Sequence, residues 1–193
     1  MRPDMPKRVR RPQMGVTALE LAIVTTIAAT IAVAAASDLA GFLVNSQLRT
    51  ASDELRSALR LAQIEAIKRQ AVVELVLTAE ASGRPDVQPA SDGRNWVIRA
   101  VRADGGFELL QASSGATLAP RVRVEADREA FAFDAFGRLR ADSLGNAAPE
   151  AELRIELSDR DALARSLRVV VRPSGSSLNC DPHARGGDAF ACG

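Results

Sequence analysis

Residues 14–37 read MGVTALELAIVTTIAATIAVAAAS, and this stretch decides the fold. From Val16 to Ser37 the chain holds only Val, Ala, Leu, Ile, Thr and one Ser, with Glu20 as the single ionisable side chain. As a helix rising about 1.5 Å per residue the run spans roughly 33 Å, the thickness of a bilayer core. Its many alanines (Ala28, Ala29, Ala32, Ala34, Ala35 and Ala36) make it only moderately hydrophobic, a weak anchor by composition. Residues 1–15 carry Arg2, Lys7, Arg8, Arg10 and Arg11 against Asp4, and Pro3, Pro6 and Pro12 keep them from helix. Positive charge ahead of an apolar run places residues 1–15 in the cytoplasm and everything beyond Ser37 across the membrane.

Three readings of the run compete. Ala34-Ala35-Ala36 before Ser37 would serve as the cleavage site of an ordinary secretory signal, releasing a periplasmic β-domain. An uncut signal anchor is the second. Both leave Glu20 without a role, although a carboxylate in hydrocarbon costs on the order of 2 to 3 kcal/mol near a helix centre. The third reading cuts the chain after Gly15, which sets the new amino group of Val16 one turn from Glu20, in reach of an i, i+4 pair or of a neighbouring chain's amino terminus. The residues Met14-Gly15-Val16-Thr17-Ala18-Leu19-Glu20-Leu21 resemble the signal of type IV pilins and type II secretion pseudopilins. That resemblance implies a prepilin peptidase cutting between Gly15 and Val16, N-methylation of Val16, and Glu20 as the assembly contact. Val16 and Ala18 depart from the Phe and the aliphatic residue usual at those places.

Helical periodicity continues past Ser37. Leu39, Phe42, Leu43, Leu48, Ala51, Leu55, Leu59, Ala62 and Ala66 recur at three- and four-residue intervals as one apolar stripe. Arg49, Asp53, Arg56, Arg60, Glu65, Lys68 and Arg69 lie opposite, with Arg49 and Asp53 spaced for a pair across one turn. No proline interrupts Val16 to Gln70, and Gly41 is the only glycine there, so the spacing predicts one helix of about 50 residues. Beyond Gln70 the period becomes two, with strand-like runs at 73–78, 96–101, 107–111, 121–125, 131–134, 152–157 and 166–172. Turn-forming stretches between them, among them Ser91-Asp92-Gly93, Asp104-Gly105-Gly106 and Asp142 to Pro149, imply antiparallel pairing. The fold class is α+β, a long N-terminal helix (transmembrane, then amphipathic) packed on an antiparallel β-rich head. The expected domains are a leader at 1–15, a membrane half of the helix at 16–37, an amphipathic half at 38–70, and a head at 71–193.

Cys180 and Cys192 follow the last strand-like run, and a bridge between them would close a loop of about a dozen residues, as an oxidising periplasm permits. A metal site with His183 lacks ligands and spacing. One histidine in a glycine-rich loop, no tyrosine, no phosphate loop and no nucleophile elbow leave catalysis without candidates, and Ser174-Gly175-Ser176-Ser177 reads as a turn. No cofactor is called for.

Within the pilin-like proteins, Asn45 to Ala51, Leu55 to Leu59 and Ala62 to Arg69 are similar to the helix of the GspH/FimT family. Phe133-Asp134-Ala135-Phe136-Gly137-Arg138-Leu139 resembles that family's F-D-x-x-G-R turn, and Val169 to Gly175 its final strand and glycine turn. The resemblance implies a minor pilin or pseudopilin: a low-abundance subunit, priming the fibre or near its tip, that pairs with other pilins through its helix in the bacterial inner membrane. Some such proteins bind DNA through a Gly-Arg-x-Arg motif near the C-terminus. This chain has Gly175-Ser176-Ser177-Leu178 there, and Gly137-Arg138-Leu139-Arg140 earlier, which makes Arg138 and Arg140 the candidate phosphate contacts. The formal charge of +1 argues for a solvated turn instead, because losing the leader's five cations and one acid takes it to −3.

Overall fold

The structure is a computed structural model that describes residues 17–80, 83–113, 122–140, 153–159, 166–188 and 190–192. The expected leader, the Gly15-Val16 junction and the turn at 142–149 lie outside these residues. The chain divides into two compact units, one up to Ala40 and one from Gly41 onward.

Helix α1 runs Ala18–Arg69. Gln70 ends it by adopting φ 52°. Its N–H donates to Ile67 O (3.3 Å) and that of Ala71 to Ala66 O (3.3 Å), a left-handed cap that satisfies the last carbonyls. Lys68 and Arg69 in the final turn oppose the negative end of the helix dipole.

Among the described residues eight strands follow: β1 Val73–Thr78, β2 Asn95–Val101, β3 Phe107–Ala112, β4 Val122–Ala126, β5 Ala130–Phe133, β6 Leu153–Asp159, β7 Leu167–Val171 and β8 Ser177–Cys180. They form two antiparallel sheets, ordered β3-β2-β1-β5 and β4-β6-β7-β8. The inner faces of both sheets share one core with the helix. Val44, Leu48, Ala51, Leu55, Ala58, Leu59, Ala62 and Ala66 meet Val73, Leu75, Leu77, Ile98, Phe131 and Phe133 from the first sheet, and Val124, Ile155, Leu157, Val169 and Val171 from the second. Small residues at 51, 58, 62 and 66 let both sheets approach one helix closely.

Three expectations are corrected. Phe42 and Leu43 are exposed, and among the described side chains the buried stripe begins at Val44. Asp53 is not paired with Arg49; its Oδ1 accepts instead from Asn179 Nδ2 at 2.8 Å. The turn after β7 lies at residues 172–176 rather than Ser174–Ser177, and Ser177 already opens β8, so Cys180 ends a strand rather than following the last one. Both faces of β1, the outer one included, are covered, since all six residues of Val73–Thr78 are buried. Residues 83–94 cover that outer face. Val87 packs with Val76 and Val97, and Thr78 Oγ1 donates to Gln88 O at 2.8 Å.

Candidate assembly site

The first turn of α1 is fixed by residues that the sequence places three apart. Glu20 N–H donates to Thr17 Oγ1 (3.2 Å), while Thr17 N–H and Oγ1–H both reach Glu20 Oε2 (3.3 Å each). This is a reciprocal capping box of the form T-x-x-E, which satisfies donors that a helix N-terminus otherwise leaves open. The pattern is visible in the sequence beside the roles expected for Glu20, a pair with the amino group of Val16 or with that of a neighbouring chain. A carboxylate in the first turn is also stabilised by the helix dipole.

Along the same unit the polar groups turn inward on the helix itself. Thr25 Oγ1 donates to Leu21 O (2.9 Å), Thr26 Oγ1 to Ala22 O (2.7 Å) and Thr30 Oγ1 to Ile27 O (2.8 Å). Such bonds leave the hydroxyls with no demand on solvent. Leu19, Leu21, Ile23, Val24, Ile27 and Ile31 are each more than half exposed. The surface presented is therefore apolar on every side and self-satisfied in hydrogen bonding. Among the described residues no helix is long and apolar enough to cross a membrane.

In the head, the two quoted turns meet. Gly137 (φ 76°) and Gly175 (φ 84°) sit back to back, and Gln63 of α1 donates from Nε2 to Gly137 O at 2.8 Å. A Cβ on Gly175 would strike Gly137 O and lie 2.5 Å from Gln63 Nε2. Leu139 N–H completes the junction by donating to Pro173 O at 3.0 Å. Asp134 shapes the first turn: its Oδ1 accepts from the N–H groups of Phe136 and Arg138 (2.9 Å each), and its Oδ2 from Arg138 Nε (3.2 Å). Burial by itself would raise the Asp134 carboxyl, but the N–H groups of Arg138 and Phe136 and the Arg138 guanidinium outweigh it and hold the group below the usual range. The F-D-x-x-G-R sequence is thus a structural joint between helix and sheets.

Arg138 and Arg140 differ in exposure and in partners. Arg138 is exposed but tied to Asp134 and lies 5.4 Å over the Phe136 ring. Arg140 is half-buried, and its N–H donates to Ala132 O. His183 is an exposed loop residue whose N–H donates to Asp181 Oδ1. Among the described residues no group of carboxylates, histidines and cysteines could hold a metal ion.

Cys180 and Cys192 form the disulfide. It pins residues 181–191 to the end of β8, where Asp181 N–H donates to Phe190 O (2.7 Å) and Cys192 N–H to Asp181 O (3.4 Å). Replacing both cysteines with serine is expected to cost about 3 kcal/mol from loop-closure entropy. The check is the urea midpoint, which should fall at an unchanged slope. An unchanged midpoint would show that β8 holds the loop without the bridge.

Residues 51–175 match the family model described as Type II transport protein GspH. The match covers α1 from Ala51 onward and the head up to the glycine turn, and leaves out the N-terminal signal, the first part of the amphipathic half, β8 and the disulfide. No curated protein matches the chain. Among solved structures, the type IV minor pilin FimU of Pseudomonas aeruginosa is similar in one crystal form with a TM-score of 0.52 at 19% identity, over 71% of this chain and 90% of that one. A second crystal form gives 0.50 at 15% identity, over 74% and 100%. The minor pseudopilin EpsH from the type 2 secretion system of Vibrio cholerae gives 0.49 at 12%, over 72% and 99%.

Proposed function

We propose, from the premise that this chain belongs to the GspH family and is a structural subunit of the minor pilin or pseudopilin class, that residues 16–37 store it in the bacterial inner membrane until it joins a fibre. In this reading a prepilin peptidase cuts after Gly15, Val16 is methylated, and the helix carries the subunit into a type IV pilus or a type II secretion pseudopilus. The head stays in the periplasm. The subunit starts the fibre or sits near its tip, as its departures from the usual signal at Val16 and Ala18 suit a minor component.

The observation that carries the reading is the bare helix. Six large aliphatic side chains from Leu19 to Ile31 stand exposed, and covering them with lipid or neighbouring helices would gain on the order of 10 kcal/mol. The internally bonded threonines fit the same surroundings, where an open hydroxyl would be costly. Glu20 lies in the first turn beside Thr17, so its carboxylate stays at the end of the span, close to the new amino group that a cut after Gly15 would create. There it can pair with that amino group or with the one of an incoming subunit.

Mass spectrometry of the protein extracted from membranes tests this. The expected N-terminus is methylated Val16. A chain starting at Ser37, or one still carrying Met1, would overturn the reading.

A further inference from the structure

We propose that the cleft bounded by α1, β8 and the disulfide loop is a receptor for an arginine side chain presented by a partner polypeptide. The cleft has a volume of about 400 Å³, within the range of small-ligand sites. Its walls come from four elements: Ser52 and Asp53 of the helix, Leu167 of β7, Asn179 of β8, and Asp188 and Phe190 of the loop.

Two of its polar atoms lack partners. Ser52 is 1% exposed, and its Oγ makes no hydrogen bond. Asn179 uses its Nδ2 on Asp53 Oδ1, and that bond leaves its Oδ1 as a buried acceptor without a donor. A buried unpaired acceptor costs about 1–3 kcal/mol, so the site gains from any group that brings N–H donors to it. Asp188 adds another acceptor, because only its Oδ1 is used, by Phe190 N–H at 3.1 Å.

Charge selects the donor. Asp53, Asp181 and Asp188 line the cleft against the single cation Arg49, so a cation is favoured over an anion. Among the described residues the carboxylates form no group that could hold a metal ion. A guanidinium suits dispersed acceptors, since its five N–H donors radiate in one plane, whereas an ammonium concentrates three at one point. Phe190, 71% exposed and held by the pinned loop, offers a face for that plane to stack on. Arg49 sits on the helix side of the cleft and repels a second cation. The guanidinium is thereby directed to the loop end, between Asp188 and Phe190.

The experiment is calorimetric titration of the full-length protein in detergent micelles at low salt with the peptide acetyl-Gly-Arg-Gly-amide and its lysine, citrulline and glutamate counterparts. Saturable binding of the arginine peptide is expected at concentrations up to the millimolar range. The lysine peptide should bind several-fold more weakly and the citrulline peptide at least tenfold more weakly, with no binding of the glutamate peptide. Asp188→Asn keeps an acceptor for Phe190 N–H while removing the charge, and should weaken arginine binding about tenfold. Phe190→Leu should weaken it severalfold, and Arg49→Ala should strengthen it. Absence of binding by the arginine peptide, equal binding by citrulline, or affinities unmoved by Asp188→Asn and Phe190→Leu would each overturn the proposal. The outcome does not depend on how the N-terminus is processed.

Discussion

Gly175→Ala is expected to destabilise the head by about 3 to 5 kcal/mol, lowering its melting temperature by roughly 10 °C or more. Two costs add at this position. The residue holds φ 84°, where a side chain is strained by about 1–3 kcal/mol. The new Cβ would also strike the carbonyl of Gly137 and crowd the Gln63 amide, so the two turns could not stay in contact without moving apart. Two control substitutions separate the costs. Gly105 has nearly the same backbone conformation (φ 81°) but open space around it, so Gly105→Ala should carry the conformational cost alone, about 1 kcal/mol. Gly186 has neither constraint, and Gly186→Ala should be close to neutral. Thermal melts of the three variants decide the matter. If Gly175→Ala is no worse than Gly105→Ala, the junction at Gln63, Gly137 and Gly175 does not bear on stability.

The helix and its buried face were legible because Leu48, Leu55 and Leu59, spaced by the small residues Ala51, Ala62 and Ala66, repeat at the helical period with no breaker between them. Phe42 and Leu43 share that period but are exposed, since periodicity marks a face and does not say where along the helix the sheets begin to cover it. The first seven strands were legible from alternation, whereas Ser177–Cys180 was not: four residues with two polar side chains carry too short a pattern, and the register with β7 alone defines them. The disulfide followed from cysteine spacing and was found. The contact that Asp53 does make, with Asn179 126 residues away in the chain, could not be read from helical spacing, which speaks only of neighbours one turn apart. The capping box at Thr17 and Glu20 was present in the sequence as T-x-x-E. A helix signal inside an apolar run was easy to pass over when the carboxylate already had a role implied by resemblance.

Arg99→Met is expected to cost about 3 to 5 kcal/mol and to free residues 83–94 from the outer face of the first sheet. Glu74 and Arg99 face each other across β1 and β2, with Arg99 Nε donating to Glu74 Oε2 at 2.9 Å. Glu74 is 1% exposed. Arg99 does three things at once: besides the ion pair, its Nη1 donates to Pro85 O at 2.8 Å, and its guanidinium lies 3.6 Å from the centre of the Phe107 ring. Removing it strands the carboxylate of Glu74 in the interior and detaches Pro85, which is close to Val87 in the chain. Val87 would then lift away from Val76 and Val97. Polar alternation in β1 is what allows this charge to exist, because Glu74 occupies a position that would face water if the strap did not cross it. Glu74→Leu combined with Arg99→Met should recover most of the lost stability, since a buried pair replaced by apolar residues of similar size is often neutral. Hydrogen exchange distinguishes the two effects. In the single variant the amides of Ala90 and Gly93, which donate to Leu77 O and Ala90 O, should exchange faster than those of β7. In the double variant global stability should return while the strap amides stay fast, because the anchor to Pro85 is still missing. Full protection of those amides in the double variant would mean that Val87 and the Thr78 bond to Gln88 hold the strap without Arg99.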